Sequence, residues 1–443
     1  MLTDELWIHR APSMAPILRA LHMRRVVITG MGLVTPLGVG LESVWTRLLA
    51  AKSGLSWLPT ALSNNLSVKV AGQVPGVDDD PAAGFDPVLF VMERDLRRMD
   101  RFIVFALAAA EEAIGQAGWR PTSERDRART ATIVASAIGG FHAITSAVDT
   151  VRQRGPGKLS PFTIPSFLIN LAAGQVSIKY GFTGPSGAPV TACAASVQAI
   201  GDAARLIRAN EADIALCGGA EACINEVSLG GFAAARALST ANYDQPSKSS
   251  RPFDSARDGF VMSEGAGMLV IEDLDHARAR GARPIAEVVG YGTTSDAYHI
   301  TSGPEDGRGA RRAMEIALEQ ANIPPDEVRH LNAHATSTQV GDRGEISAIK
   351  AVFGDHYRTA ISATKSSTGH LLGAAGATEA IFTALALRDQ IAPPTLNLEN
   401  RDIAAEGLDI IGGSAHPIAS EYAISNGFGF GGVNASILLR KLS

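Results

Sequence analysis

Residues 24–32, with the sequence RRVVITGMG, form a short β-branched run that closes on Gly30 and Gly32. Such a run predicts a buried strand that leads into a glycine loop. A second run of the same kind, residues 285–292 (IAEVVGYG), also closes on two glycines. Because strands and helices alternate after both runs, we expect the second half of the chain to repeat the first.

The alternation extends along the whole chain and indicates an α/β fold. Predicted strands occupy residues 130–136, 189–192, 213–218, 267–272, 328–332, 360–363, 422–425 and 433–440. Predicted helices occupy residues 41–51, 103–118, 194–210, 308–322, 343–353 and 371–388, and residues 228–259 are expected to be a loop. Apolar strands without alternation, joined by helices, are typical of parallel sheets covered on both faces. Two such halves packed together predict five layers, αβαβα, with mixed but mostly parallel strands.

The predicted domain organisation follows this duplication. We place an N-terminal half at residues 23–275 and a C-terminal half at residues 276–443. Residues 1–22 have neither the apolar core of a signal peptide nor the acid-poor pattern of a transit peptide. We expect them to be an N-terminal extension or an added sequence.

Composition excludes several classes of function. The chain has 443 residues, of which 46% are apolar and only 19% charged, so it can bury a large core. Its net charge of −5 provides no global basic field for nonspecific nucleic-acid binding. Three scattered cysteines exclude a disulfide framework and offer no paired metal-ligand spacing, which suits a reducing compartment. No apolar run approaches the roughly 18 residues that cross a bilayer, so we expect no membrane span.

Cys193 lies where a short apolar run meets a small-residue helix, in the sequence VTACAAS. At a helix N-terminus, free N–H groups and the helix dipole stabilise a thiolate and lower the pKa of the cysteine, which favours a nucleophile. The alternative is a small buried apolar residue, since free cysteines are often buried. Cys217 and Cys223 lie in apolar stretches, and we expect packing roles for both.

Two further polar segments follow predicted strands, where α/β folds often carry functional side chains. His334 lies in the segment LNAHATST, and a structural histidine is an equal alternative for it. Lys365 and His370 flank the loop in TKSSTGHLLGAAG, whose small residues alone are explained by close helix packing. Packing does not explain a lysine and a histidine at such a turn in a chain so poor in charge.

A glycine-dense loop, residues 426–434 (NGFGFGGVN), connects the last two predicted strands and carries two aromatic residues. A phosphate cradle is the rival interpretation. No lysine and no helix start follow the loop, which argues against nucleotide binding.

Taken in this order, the motifs resemble those of the β-ketoacyl-acyl carrier protein synthases, condensing enzymes of the thiolase fold. The segments that carry the resemblance are residues 24–36, 191–196, 230–240, 251–265, 332–342, 364–376 and 428–434. GGFAAARALST and TGHLLGAAG are most similar to the elongating type II enzymes. Ala335 stands where many relatives have glycine, and Gly427 where many have serine; neither departure removes a functional group.

The resemblance implies a decarboxylative Claisen condensation in fatty-acid elongation. Cys193 would take an acyl chain from the phosphopantetheine thiol of an acyl carrier protein, and malonyl carrier protein would then condense with it. His334 and His370 would be neutral hydrogen-bond donors to the enolate, with Lys365 holding them neutral. The backbone N–H groups of Cys193 and Phe430 would form an oxyanion hole, and Phe430 would also be a gate.

The resemblance also implies supporting roles for other residues. Glu379 would bind water or a monovalent cation, Asp342 and Glu345 would anchor the region through ion pairs, and Phe428 would support the site. Three threonines would contact the pantetheine arm, namely Thr301, Thr336 and Thr338. Ile138, contributed across a homodimer interface, and Phe232 would line the acyl channel. No redox cofactor and no metal ligand set are implied.

The implied partners are acyl and malonyl forms of an acidic acyl carrier protein, together with a second copy of the chain. The basic residues that match the docking region are Arg94, Arg97, Arg98, Lys158 and Arg236, for which a solvated cationic face is the alternative. Docking through them should weaken with salt, because exposed charges are screened over about 8 Å at physiological ionic strength. The implied location is the bacterial cytoplasm, with an organelle as the alternative.

Several alternatives stay open at this stage. A polyketide-type ketosynthase shares the implied chemistry, and its noncatalytic chain-length partner shares the fold but lacks the reactive cysteine. A thiolase would use coenzyme A and a second cysteine near the C-terminal glycine loop, where this chain has none. A cysteine hydrolase would not need two histidines and a lysine around an apolar channel. Acyl chain length depends on pocket depth, which these motifs do not predict.

Overall fold

The computed structural model describes residues 24–241, 244–354 and 358–442, so the predicted extension at residues 1–22 lies outside the described residues. The strands are β1 Val26–Thr35, β2 Gly38–Val39, β3 Ser56–Trp57, β4 Val70–Ala71, β5 Thr130–Ala135, β6 Ser186–Gly187, β7 Ile214–Glu221, β8 Gly265–Asp273, β9 Ala286–Ser295, β10 Val328–Asn332, β11 Ala360–Ser362, β12 Ile391–Ala392, β13 His416–Pro417, β14 Tyr422–Gly429 and β15 Val433–Lys441. The helices are α1 Leu41–Leu49, α2 Thr60–Ser63, α3 Glu93–Leu96, α4 Arg101–Ala117, α5 Glu124–Ala128, α6 Phe141–Arg154, α7 Thr163–Phe167, α8 Leu171–Tyr180, α9 Ala195–Arg208, α10 Glu226–Ala234, α11 Leu274–Ala279, α12 Arg308–Ala321, α13 Gln339–Phe353, α14 Lys365–Thr368 and α15 Ala375–Asp389.

The main sheet consists of two halves joined edge to edge. Its strand order is β11-β10-β14-β15-β9-β1-β8-β7-β5-β6, with β2 paired to β1. The junction is the antiparallel pairing of β1 with β9, from Val26 opposite Val288 to Ile28 opposite Ala286. The first strands of the two predicted halves therefore meet at the centre of the molecule.

The prediction of mixed strand directions is confirmed, but the expectation of mostly parallel strands is wrong. Parallel pairing is limited to the outer strands of each half, where β5 pairs with β6 and β7 and where β10 pairs with β11 and β14. The pairings of β1, β8, β9 and β15 are antiparallel. The reason is connectivity: β14 and β15 form a hairpin, and β8 returns antiparallel to both β1 and β7.

The five predicted layers are present. Helices α4 and α8 cover the outer face of the first half, and α12 and α13 cover that of the second. Helices α9 and α15 lie between the two halves and contact strands of both. Their small apolar residues share one buried cluster with side chains of β1, β9 and β15, which forms the central core.

The paired glycines that opened the sequence argument lie inside strands β1 and β9, and not in the loops that we expected. A Cβ atom at Gly30 would lie 2.0 Å from the carbonyl oxygen of Ala113 in α4, and one at Gly290 would lie 2.0 Å from that of Ala317 in α12. Glycine is therefore required where each outer helix packs directly on strand backbone. The same contact occurs in both halves, which explains the repeated sequence pattern.

Two local predictions are wrong. Residues 189–191 form no strand, and the short strand β6 just before them pairs with β5 instead. Residues 228–234, predicted as part of a loop, belong to helix α10, which begins at Glu226. Asn225 caps this helix, and its side chain accepts hydrogen bonds from the N–H groups of Val227 and Ser228. This capping box outweighs the two glycines in the helix.

None of the helices in the described ranges combines the length and apolar character that crossing a bilayer demands.

Gly30→Ala is expected to lower the free energy of unfolding by at least about 2 kcal/mol, because the methyl group would overlap the Ala113 carbonyl. Gly115→Ala is the matched control, since a Cβ at this position in α4 meets nothing within 4 Å. The control should stabilise the helix by up to about 1 kcal/mol. Urea denaturation of both variants measures the difference, and an unchanged stability of Gly30→Ala would contradict the close packing of α4 on β1.

Candidate active site

Cys193 lies in a sharp elbow at the start of central helix α9. A turn of 3₁₀ helix, Ala192–Ala194, immediately precedes the helix, and Ala192 has a φ of 48°. This left-handed conformation is uncommon for a residue with a Cβ atom and reverses the chain direction. The elbow presents the half-buried Cys193 side chain at the end of the helix.

The second half has an equivalent elbow without a nucleophile. A 3₁₀ turn, Leu372–Ala374, leads into α15, and Leu372 has the same φ of 48°. Gly373 therefore occupies the position that Cys193 has in the first half. The structural repeat therefore aligns the turn at residues 192–194 with the turn at residues 372–374.

The second half packs closely against the Cys193 elbow. A Cβ at Gly429, the last residue of β14, would lie 2.6 Å from the carbonyl oxygen of Thr191 and 3.2 Å from the Cys193 nitrogen. Only glycine allows this approach. As a result, the backbone N–H of Phe430 lies near the Cys193 thiol, and this group and the N–H of Cys193 itself act to lower its pKa.

The electrostatic environment of the thiol differs from our expectation. Burial raises the pKa of Cys193 to about 12, while Lys365 and the two backbone N–H groups act in the opposite direction. The negative charge of Glu221 adds to the effect of burial. The loss of hydration thus outweighs the stabilisation that the helix end was predicted to provide, and the free site contains a thiol.

His334 and His370 form a perpendicular pair of buried imidazoles. Their ring centroids are 5.5 Å apart with an interplanar angle of 84°. Within the described residues, Nδ1 of His334 and both ring nitrogens of His370 are buried without a hydrogen-bond partner. Burial, and after it the charge of Lys365, holds the pKa of each imidazole well below its ordinary value. Both rings are therefore neutral near pH 7 and can donate or accept a hydrogen bond.

Lys365 is the source of positive charge in the site and is almost completely buried. Its Nζ lies 2.5 Å from Oε1 of Glu379, a residue of central helix α15. Burial raises the pKa of Glu379 to about 7, and Lys365 opposes this rise. The second oxygen, Oε2, has no partner in the described part of the chain. The ion pair is needed because a lone buried ammonium group would be very costly.

Two carboxylates on α13 hold the His334 loop in place. Glu345 accepts hydrogen bonds from the backbone N–H of His334 at 2.8 Å and from that of Ala335 at 2.6 Å. Asp342 accepts a hydrogen bond from the N–H of Ser337 and lies 3.3 Å from Nε of Arg257. Burial raises the pKa of Asp342 to about 7 and also raises that of Glu345. Asp342 thus forms an ion pair, whereas Glu345 acts through backbone hydrogen bonds.

A single cavity of about 530 Å³ brings most of the candidate residues together. The predicted site residues that line it are Ile138, Cys193, Phe232, Arg236, Thr301, His334, Thr336, Thr338, Glu345, His370, Phe428 and Phe430. Ile138, expected to reach the site from a second copy, lines the cavity of its own chain. Lys365, Glu379 and Asp342 are buried and do not line the cavity.

The Phe430 loop is anchored at its two glycines. Gly431 and Gly432 have φ values of 85° and 76°, and the Phe430 ring packs 6.2 Å from that of Phe232. The N–H of Gly431 donates to the carbonyl of Ile300. The loop therefore contacts the segment that carries Thr301 at the cavity mouth.

The predicted docking residues lie on the exposed surface and separate into two groups. Arg94 and Arg98 both pair with Asp95, and the Arg98 guanidinium lies 4.5 Å from the Phe162 ring centroid. Arg97 and Lys158 are exposed, and Arg236 lies at the cavity mouth. Of the five predicted docking residues, Arg236 alone lines the cavity, and Asp95 offsets part of the charge of Arg94 and Arg98.

Sequence reasoning missed Glu221, a buried carboxylate at the end of β7. It accepts hydrogen bonds from Ser136, Ala137, Ile138 and Gly373, and burial raises its pKa to about 7. The available signal was an acidic residue at the end of an apolar strand, IALCGGAE. Such a residue needs buried donors, because an isolated buried charge is strongly unfavourable.

This arrangement can perform covalent chemistry on a carbonyl compound. It combines a thiol, two backbone N–H groups at the sulfur, and two neutral imidazoles that line the same apolar cavity. The N–H groups can stabilise an oxyanion at one carbon, and the imidazoles can stabilise an enolate next to it. The described residues contain no cluster of metal-ligating side chains.

Comparisons with known proteins agree with this chemistry. Residues 23–277 match the family model described as the N-terminal domain of β-ketoacyl synthase, and residues 285–399 match that of its C-terminal domain. The chain is 49% identical to 3-oxoacyl-[acyl-carrier-protein] synthase 2 of Rhizobium meliloti, over 95% of this chain and 99% of that protein. It is 44% identical to the mitochondrial 3-oxoacyl-[acyl-carrier-protein] synthase of Arabidopsis thaliana, over 95% and 94% of the two chains.

Solved structures show the same architecture. A β-ketoacyl synthase from Burkholderia phymatum superposes with a TM-score of 0.87 at 35% identity, covering 95% of this chain and 100% of that one. A type II polyketide ketosynthase in complex with its acyl-carrier protein superposes with a TM-score of 0.84 at 33% identity and the same coverage. The predicted fold class is confirmed.

Lys365→Met is expected to raise the pKa of both imidazoles, because a nearby positive charge that disfavours their protonation is removed. In the unaltered protein, ¹³C-histidine NMR should show both rings neutral from pH 8 to pH 6. Single substitutions of His334 and His370 assign the two signals. Lys365→Arg retains the charge and should keep both pKa values low; equal pKa values in the Met and Arg variants would contradict the role of the charge.

Proposed function

The chain belongs to the β-ketoacyl synthase family, and on this premise we propose that it catalyses the condensation step of fatty-acid chain elongation. The substrates are an acyl chain and malonyl-acyl carrier protein. The products are 3-oxoacyl-acyl carrier protein, CO₂ and free carrier protein. The enzyme is a type II acyltransferase.

One observation carries the assignment of catalytic roles. Cys193, His334 and His370 line the same cavity, and ring nitrogens of both imidazoles have no hydrogen-bond partner among the described residues. A cysteine hydrolase needs one imidazole base. Two neutral donors suit a reaction in which a second substrate develops negative charge. In a condensation, that charge lies on the enolate.

In the first half-reaction, Sγ of Cys193 attacks the carbonyl carbon of the acyl thioester on the carrier protein. The N–H groups of Cys193 and Phe430 stabilise the resulting oxyanion. The carbon–sulfur bond to pantetheine then breaks, leaving the acyl chain on Cys193. Because Cys193 begins as a thiol, its proton leaves as the new bond forms and is transferred to the departing pantetheine sulfur. The free carrier dissociates.

In the second half-reaction, malonyl carrier protein loses CO₂, and the electron pair of the broken carbon–carbon bond forms an enolate. Nitrogen-bound protons of His334 and His370 stabilise the enolate oxygen, and each such donor is typically worth about 3 to 4 kcal/mol. The enolate carbon attacks the acyl carbonyl on Cys193. The Cys193 thioester bond breaks, and the sulfur takes a proton from solvent.

Lys365 is proposed as the residue that keeps both donors neutral. Its charge disfavours protonation of either imidazole, and Glu379 neutralises the ion pair in the core. A protonated imidazole would instead hold the malonyl carboxylate by its charge and oppose its departure as CO₂. Lys365 does not line the cavity, which supports an indirect role.

The remaining site residues act in binding. Phe430 is proposed as the gate between the acyl channel and the malonyl site, with the channel wall formed by Ile138 and Phe232. Thr336 and Thr338, whose hydroxyl oxygens are 3.1 Å apart, and Thr301 offer donors to the pantetheine arm. No cofactor beyond the carrier's phosphopantetheine is needed by this chemistry. Oxygen Oε2 of Glu379, buried without a partner in the described residues, fits a monovalent cation.

The proposed partners are acyl carrier protein and a second copy of the chain. Arg94, Arg97, Arg98, Lys158 and Arg236 offer positive charge to an acidic carrier. Helix α6 buries none of its residues and is followed by exposed Phe162 and Ile164, which supports a homodimer interface in this region. We propose two halves at residues 23–275 and 276–443, and the cytoplasm as the location, with an organelle as the alternative.

A polyketide-type ketosynthase is the second candidate, because one is similar in structure at 33% identity. The higher identity of 49% to a 3-oxoacyl-[acyl-carrier-protein] synthase over nearly the whole chain favours fatty-acid elongation. A noncatalytic chain-length partner would not retain Cys193 in its cavity.

Cys193→Ala is expected to abolish the transfer of an acyl chain from acyl carrier protein to the enzyme, because no other thiol lines the cavity. Intact-protein mass spectrometry after mixing with acyl carrier thioesters measures the adduct. Cys217→Ala is the control, since this buried thiol in β7 lies outside the cavity and the adduct should persist. Full condensation by Cys193→Ala would overturn the nucleophile assignment.

His334→Ala is expected to slow malonyl decarboxylation by at least about a hundredfold, since one enolate donor is lost. Acylation of Cys193 should change by much less, because its oxyanion is stabilised by backbone N–H groups. Single-turnover assays of each half-reaction separate the two effects. Equal losses in both would contradict this division of roles.

A further inference from the structure

We propose that Glu221 is a positioning residue that sets the acyl-chain selectivity of the cavity, by fixing the channel-wall turn that carries Ile138. This inference rests on the proposed function. It assigns a role in substrate choice to a residue that does not line the cavity.

The carboxylate of Glu221 is completely buried and joins two segments of the cavity wall. Oε1 accepts hydrogen bonds from the Ser136 hydroxyl at 2.9 Å and from the N–H of Ile138 at 3.3 Å. Oε2 accepts from the N–H of Ala137 at 2.7 Å and from that of Gly373 at 3.1 Å. One side chain thus accepts hydrogen bonds both from the turn after β5 and from the second elbow.

The backbone N–H groups of Ala137 and Ile138 both donate to this one side chain. Ser136, which donates to Glu221, also accepts the N–H of Gly139 at 3.0 Å, so the turn folds around this one carboxylate. The two segments are in close contact, because a Cβ at Gly373 would lie 2.3 Å from the Ala137 nitrogen. Movement of the carboxylate would therefore move both segments.

Both segments contribute apolar side chains to the cavity wall. Ile138 and Leu372 line the cavity together with Phe232, and the same apolar cluster packs against Cys193. In the first half the elbow carries the nucleophile, whereas in the second half Gly373 donates its N–H to Glu221. The second elbow therefore anchors the channel wall through this hydrogen bond.

A carboxylate suits this position because three of its four partners are backbone N–H groups, which can only donate. Glutamine has the same shape, but its NH₂ group would face at least one of these N–H groups, so at least one hydrogen bond would be lost. Glu221→Gln should release the turn without removing any atom from the cavity surface. The position of Ile138 would then be less restricted.

The test measures kcat/KM for acylation with a ladder of acyl carrier thioesters of increasing chain length. Glu221→Gln should change the ratio between the best and the next-longer substrate by about tenfold, since a shift of the wall by one methylene changes discrimination on this scale. Malonyl decarboxylation without an acyl chain should stay within about twofold of the unaltered enzyme, because Glu345 still holds His334 and the backbone of His370 is still hydrogen-bonded to Val261 and Ser263.

Glu272→Gln is the matched control. Glu272, an equally buried carboxylate of strand β8, accepts hydrogen bonds from Thr29 of β1 and from Arg280, which follows helix α11. It lies outside the cavity. Its substitution should lower stability without changing the chain-length ratio. Comparable shifts of the ratio in both variants would attribute the effect to general loosening and overturn the proposal.

Ser136→Ala is a second, milder variant that removes one donor to Glu221 and one acceptor of the turn. Ser136→Ala should shift the same chain-length ratio in the same direction by about threefold. If Glu221→Gln does not fold, this variant alone tests whether the turn sets the ratio. An unchanged ratio in the folded variants, with a uniform fall in rate, would overturn the proposal. Failure of the unaltered enzyme to form any acyl adduct would instead overturn the proposed function.

Discussion

The close approach of Gly429 to the Cys193 elbow is the constraint on which the site depends. Strand β14 comes from the second half of the chain, and the elbow from the first; without a side chain at Gly429, the two backbones come into contact. This contact places the Phe430 N–H at the sulfur and lets His334 and His370 line the cavity of Cys193. The reaction therefore takes place at the junction of the halves, and neither half contains a complete site.

Burial sets the charge states within this junction. It raises the pKa of the Cys193 thiol and lowers those of His334 and His370, and Lys365 opposes the first effect while it reinforces the second. In a site of this kind the reacting groups, two neutral histidines and a protonated thiol, carry no net charge. Such a site can accept an apolar acyl chain and still stabilise an enolate, because its donors are already oriented and need no reorganisation.

The duplication explains both the similarity and the division of labour of the two halves. Each half has a first strand with paired glycines, an outer helix on its backbone, and an elbow before a central helix. One elbow carries Cys193, and the other carries Gly373, whose N–H donates to Glu221. Two copies of one backbone geometry thus provide a nucleophile in the first half and a structural anchor in the second.

Local patterns in the sequence were sufficient to predict the αβαβα class, the central helices and the candidate residues Cys193, His334, Lys365 and His370, because periodicity and strand-to-helix turns are local properties. Tertiary structure alone decided the antiparallel strands at the centre, the absence of a strand before Ala192 and the anchoring role of Glu221. Strand direction depends on which distant segments pair, and a carboxylate finds its donors only after folding. The pKa of Cys193 was decided in the same way, since the sequence shows the helix end that stabilises a thiolate but not the burial that outweighs it.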